Sequence, residues 1–155
     1  MKRLQTDLFR AGLHVFEDLG FLLPSAEINA DQADAETQAA VTVTFSGPVD
    51  GMILLTLSGP ILPVLTANML GDELPTTEAQ EIDALKEVCN VICGNLLPNL
   101  INEDAVFDIH PPQVTDVKSI ESFLQKPFIH QAIGLEEGRA DIWLFLPEQF
   151  LKRDA

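Results

Sequence analysis

Cations are scarce in this chain of 155 residues: nine Lys and Arg stand against 24 Asp and Glu, a formal net charge of −15. Nucleic-acid binding needs cations to displace the counterions of phosphate, so this balance argues against a nucleic-acid partner. It argues equally against docking on an anionic membrane surface. Net charge speaks to solubility and association rather than to fold. Cysteine is as sparse. Cys89 and Cys93 are the only two, four apart in a helical pattern and therefore on nearly one face. A disulfide framework is not expected, and reduced thiols suit a cytoplasmic address. His14, His110 and His130 show no zinc spacing with that pair, so the cysteines read as buried apolar side chains and no metal site is expected.

No targeting or spanning segment is expected either. No signal-type apolar region follows the charged start Met1-Lys2-Arg3. Gly51 to Gly71 carries no charge and nears transmembrane length, but Ser58, Gly59, Pro60 and Pro63 interrupt its middle. It reads as a buried strand, a turn and a short helix. There is no internal repeat, low-complexity tract or long linker. With 46% hydrophobic and 21% charged residues, the balance is globular, and one domain over residues 1–155 is expected.

What is present is helical and strand periodicity in succession. Leu4, Leu8, Val15, Phe16 and Leu19 make one stripe, predicting a helix from Lys2 to Leu19 with Gly20 as its stop. Glu27 to Gln38 is polar, alanine-rich and acidic and reads as a loop or a frayed edge. Ala40 to Phe45 alternates Val and Thr, a half-buried strand. Turn residues at 46–51 join it to Met52–Leu57, apolar enough for a central strand covered on both sides. A short helix follows over Pro60–Leu70. Thr77 and Gln80 have the spacing of a capping box, opening the longest helix, from about Glu78 to Leu97 or a little beyond. Strands are expected at Ala105–Ile109 and Val114–Val117. A hairpin is expected from Phe128–Leu135 and Ala140–Leu146, turning at Glu136-Glu137-Gly138, with Gly where positive φ is needed. The fold class that follows is α+β, an antiparallel sheet packed by helices.

The longest helix carries the chemistry worth weighing. Ile82, Leu85, Cys89, Ile92, Cys93 and Leu96 form its apolar stripe. At about 100° per residue, Asp83, Glu87, Asn90 and Gly94 cluster about 140° away. A carboxylate and a carboxamide three residues apart can reach one point in space. Two readings stand: the solvated face of any amphipathic surface helix, or a site. Gly94 leaves room beside Asn90. Pro98, four residues further on, clashes with the Gly94 carbonyl in a regular helix and predicts a kink or an end.

At these residues the sequence resembles the CheC, CheX and FliY family of chemotaxis phosphatases. That family's signature is Asp or Ser, three residues, Glu, two residues, Asn, twenty-one residues, Pro. Asp83, Glu87, Asn90 and Pro112 match every interval. Gly94-Asn95, the segment FSGPVDGMILLTLS and the closing Asn68-Met69-Leu70-Gly71 are also similar to the family. The likeness runs from Lys2 to Leu146. The first helix lacks Glu and Asn at that spacing, so the single signature resembles the CheX-like branch.

The resemblance implies a protein aspartyl-phosphate phosphatase acting on a CheY-like response regulator. Asn90 would orient the attacking water, and Glu87 would pair with the receiver's lysine. Asp83 and Pro112 would serve binding, although Pro112 after Pro111 reads equally as a plain turn proline. No cofactor of the chain's own is implied, because the receiver brings Mg²⁺ beside its phosphoryl group. A homodimer paired through the sheets is implied as well. The alternatives within the fold are a non-catalytic receiver-binding module and a flagellar-switch-type interaction component.

Overall fold

The computed structural model describes residues 3–153. Among the described residues the six α-helices are α1 (Arg3–Asp18), α2 (Ala30–Asp34), α3 (Leu62–Leu70), α4 (Glu78–Leu96), α5 (Ile120–Phe123) and α6 (Glu148–Arg153). Seven strands are β1 (Pro24–Ser25), β2 (Thr37–Ser46), β3 (Gly51–Ser58), β4 (Asp108–Ile109), β5 (Gln113–Thr115), β6 (Phe128–Leu135) and β7 (Gly138–Phe145). They form one antiparallel sheet in the order β1-β6-β7-β3-β2-β4, with β5 also paired to β2. The architecture is α+β.

Strand periodicity explains the two faces. Val41, Val43, Phe45, Ile53, Leu55, Leu57, Ile142 and Leu144 point into the main core beneath the helices. α1 lies over β6 and β7, α4 lies over β2 and β3, and the two helices pack side by side. α3 packs on α4. On the other face Ala40, Leu54 and Phe145 form a second small core, closed by Ile120, Phe123 and Leu124. That second cover explains why Met52–Leu57 reads as one apolar run: β3 is buried from both sides.

Several boundaries differ from expectation. The expected helix start at Lys2 lies outside the described residues. The acidic stretch after Glu27 is not wholly loop, because Asn29 and Gln32 form a reciprocal capping box that opens α2. The expected strand at Ala105–Ile109 shrinks to Asp108–Ile109, and Val114–Val117 shifts to Gln113–Thr115. Both are edge segments held by few partners along β2. Near Gly20 the left-handed residue is Phe21, at φ 50°.

The β6–β7 hairpin gives the sharpest correction. Positive φ falls on Glu136, at 52°, and not on Gly138. Gly138 is needed for space instead. A Cβ there would run into the Ser58 carbonyl oxygen and come within 2.5 Å of Ile61 Cδ1. A backbone atom held in a strand cannot step aside. Gly138→Ala is therefore expected to lower the unfolding free energy by about 2 kcal/mol, read from the urea midpoint. An unchanged midpoint would contradict this packing.

Candidate functional site

The site is built on α4. Thr77 Oγ1 accepts from the Gln80 backbone N–H at 3.1 Å, and Gln80 Oε1 accepts from the Thr77 N–H at 2.9 Å. This capping box fixes where the helix begins, and so where every later residue points. Glu78 and Glu81 in the first turn also suit the positive end of the helix dipole. At the far end the α-helix stops at Leu96 and tightens into a 3₁₀ turn over Leu97–Asn99. Pro98 sits inside that turn, as its missing N–H and its ring require.

Val88, Cys89, Ile92, Cys93 and Leu96 are fully buried. Each large apolar side chain so buried contributes about 1.5–3 kcal/mol, enough to make α4 a rigid rod on the sheet. Burial pushes the Cys93 thiol up to about 12, and Cys89 is pushed up further, by burial first and then by Cys93. The thiols stay protonated at neutral pH and act as small apolar side chains. Among the described residues no group of three His, Cys, Asp or Glu side chains could hold a metal ion.

The opposite face of the rod is open. Asp83 and Glu87 are exposed, Asn90 is half-buried and Gly94 is exposed. Among the described residues no side chain or backbone group pairs with the side chains of Asp83, Glu87 or Asn90. From Asp83 to Asn90 the helix rises about 10 Å. A carboxylate and a carboxamide are thus fixed at their bases and free at their tips. No serine, threonine, cysteine or histidine shares the face, so it offers no hydroxyl, thiol or imidazole. What it can do is donate and accept hydrogen bonds at a set position.

Pro112 is half-buried and immediately precedes β5. β5 pairs with β2 and also lies against α4. The edge of the sheet therefore carries Pro112 to the flank of the helix that bears Asp83, Glu87 and Asn90.

One feature escapes sequence reasoning. Where α1 runs beside the end of α4, Asp7, Arg10, His14 and Asp18 face Asn95 and Asn99 across an open cleft of about 510 Å³. An Arg and a His four apart on a helix carry no signal by themselves. Only the packing of α1 on α4 brings them to the flank of the C-terminal end of α4.

Comparison with known proteins gives a consistent picture. Residues 39–133 match the family model described as chemotaxis phosphatase CheX. The chain is similar to the chemotaxis protein CheX from Vibrio vulnificus, with TM-score 0.72 and 14% identity, covering 94% of this chain and 97% of that one. It is similar to the CheX chain of a CheX–CheY–BeF₃–Mg²⁺ complex from Borrelia burgdorferi, with TM-score 0.65 and 16% identity over 94% and 99% of the two chains. FliY from Thermotoga maritima gives TM-score 0.56 and 17% identity over 95% and 87%. No curated protein sequence matches the chain.

Proposed function

The chain belongs to the chemotaxis phosphatase CheX family, whose model covers more than half of it, and from that premise we propose that it hydrolyses the aspartyl phosphate of a CheY-like response regulator. The observation that carries the reading is the unpartnered Glu87–Asn90 pair on the open face of a helix whose other side is locked in the core. A receiver domain holds its phosphoryl group beside its own Mg²⁺ and a lysine, so the developing charge is already met. What remains is to place a water in line with the leaving carboxylate. Phosphoryl transfer depends on such positioning more than on a strong base. The Asn90 carboxamide can hold that water, since it donates and accepts and does not titrate. Glu87, one turn earlier, meets the receiver's lysine and sets the docking register. Asp83 and Pro112 border the footprint. Mg²⁺ comes with the receiver, and this chain supplies none.

The reading extends to a cytoplasmic homodimer of single-domain subunits. The solved CheX–CheY complex from Borrelia burgdorferi supports the choice of partner, because it pairs a chain of this fold with a receiver. The test is the lifetime of a phosphorylated CheY-like receiver, with and without this protein. A lifetime shortened at least tenfold at sub-stoichiometric protein is expected. An unchanged lifetime under tight binding would make the chain a binding module instead.

A further inference from the structure

We propose that the docked receiver leans toward the C-terminal end of α4, passing over bare backbone at Gly94 and placing one of its carboxylates on Arg10 in the α1–α4 cleft. This rests on the receiver-phosphatase reading above and adds the direction and chemistry of the footprint.

Gly94 is the first observation. It lies in α4, one turn beyond Asn90 on the same exposed face. A Cβ added there would meet nothing within 4 Å, so the chain's own packing gives no reason for glycine. Glycine inside a helix is unfavourable relative to every residue but proline. A surface that stays bare against its own helix propensity, beside the proposed water-holding group, fits the close approach of another backbone.

Charge is the second observation, and it is independent of the first. The N-terminal half of α4 carries Glu78, Glu81, Asp83 and Glu87, with Lys86 as its cation. From Val88 to Asn102 there is no charged residue. The uncharged end abuts the cleft where Arg10 is exposed. Arg3 lies 3.8 Å from Asp7, Arg139 is paired with Asp141, and Lys152 with Glu148. Arg10 has no ion pair or hydrogen-bond partner among the described residues. Asp7 also lines the cleft, its buried Oδ2 3.8 Å from Arg3 Nε and without a hydrogen bond, and Asp18 is two turns, about 12 Å, along α1 from Arg10. His14, Asn95 and Asn99 complete the cleft without adding fixed charge. For a visiting carboxylate this is the less repulsive end of the face, and a planar guanidinium suits it in two-pronged contact.

Geometry allows both contacts at once. A standard interface covers about 800 Å² per partner, a disc of roughly 16 Å radius. Gly94 is about 6 Å from Asn90 along the helix, and packed helices have axes about 9 Å apart. A receiver centred on Asn90 therefore reaches Arg10.

The test titrates this protein with a purified CheY-like receiver carrying Mg²⁺ and BeF₃⁻, and measures phosphoryl hydrolysis in parallel. Gly94→Gln is expected to leave the unfolding midpoint unchanged or higher, yet to weaken binding at least tenfold. No damage to the fold moves the two in opposite directions. Arg10→Glu is expected to raise Kd and KM about tenfold at low salt with kcat unchanged, and the effect should shrink as salt rises. Arg10→Lys should recover part of the loss. Binding by both Gly94→Gln and Arg10→Glu within twofold of the unaltered chain would overturn this inference and leave the phosphatase reading standing. Failure of the unaltered chain to bind the receiver would overturn both.

Discussion

Replacing Asn90 with Ala is expected to return the phosphorylated receiver to within a few fold of its lifetime alone, a loss on the order of 10²-fold or more in accelerated hydrolysis. The reason lies in what the side chain does and does not hold. Its tip has no partner among the described residues, so removing it leaves no buried group stranded and the fold intact. α4 is fixed by its capping box and by Val88, Cys89, Ile92, Cys93 and Leu96, none of which touches the substitution's chemistry. Binding of a BeF₃⁻–Mg²⁺ receiver should therefore stay within a few fold while turnover collapses. Two further substitutions sharpen the claim. Asn90→Asp keeps the shape but at neutral pH only accepts hydrogen bonds, and it brings a negative charge toward the phosphoryl group. Asn90→Gln keeps the amide but moves it by about one bond length, and a misplacement of about 1 Å can cost 10²-fold. Both should be nearly as slow as Ala. Full activity in either would mean that the water is held by something else.

Local chemistry was legible in the sequence where spacing along one element decides the outcome. Thr77 and Gln80 cap α4 as their interval predicts, and the turn at 46–51 joins β2 to β3. Asp83, Glu87, Asn90 and Gly94 share a face because helical geometry leaves them no alternative. What depends on chain path was not legible. Val106 and Phe107 have strand-forming side chains, yet they lie outside β4, because β2 ends at Ser46, which pairs with Asp108. The cover of the second core by Ile120, Phe123 and Leu124 comes from a segment with too few residues to show a period. α6, at six residues, is likewise too short to show a period. The cleft at Arg10 needs two helices side by side, and no interval within α1 encodes its neighbour. Glu136 takes the left-handed turn position because Gly138, the residue suited to it, is held where only a missing Cβ fits against Ser58.

Asp141→Asn is expected to cost about 3–5 kcal/mol of stability at neutral pH and to leave hydrolysis per folded molecule unchanged. Asp141 sits on the sheet face away from α4, between Ala140 and Ile142, which enter the main core. Its side chain is 9% exposed. Oδ2 accepts from Arg139 Nε at 2.7 Å, and Oδ1 is 2.8 Å from His130 Nε2. Arg139 in turn donates from Nη1 to the carbonyl oxygens of Gln32 and Ala33 at 2.5 and 2.8 Å. The carboxylate thus holds the guanidinium that ties α2 to β7, and neutralising it leaves a largely buried cation without its counter-charge. Burial alone would push this carboxyl up, but the hydrogen bonds from His130 and Arg139 and their charges outweigh it, so it lies below the usual carboxylate range. A depressed folded value means the unfolded chain binds the proton first as pH falls. The contribution is complete above the unfolded value, about 4, and drains away as pH drops through the lower folded one. Urea unfolding at a series of pH values should therefore show the gap between Asp141→Asn and the unaltered chain wide at pH 7 and narrowing below pH 4. A gap that is constant with pH would assign the loss to packing rather than to charge.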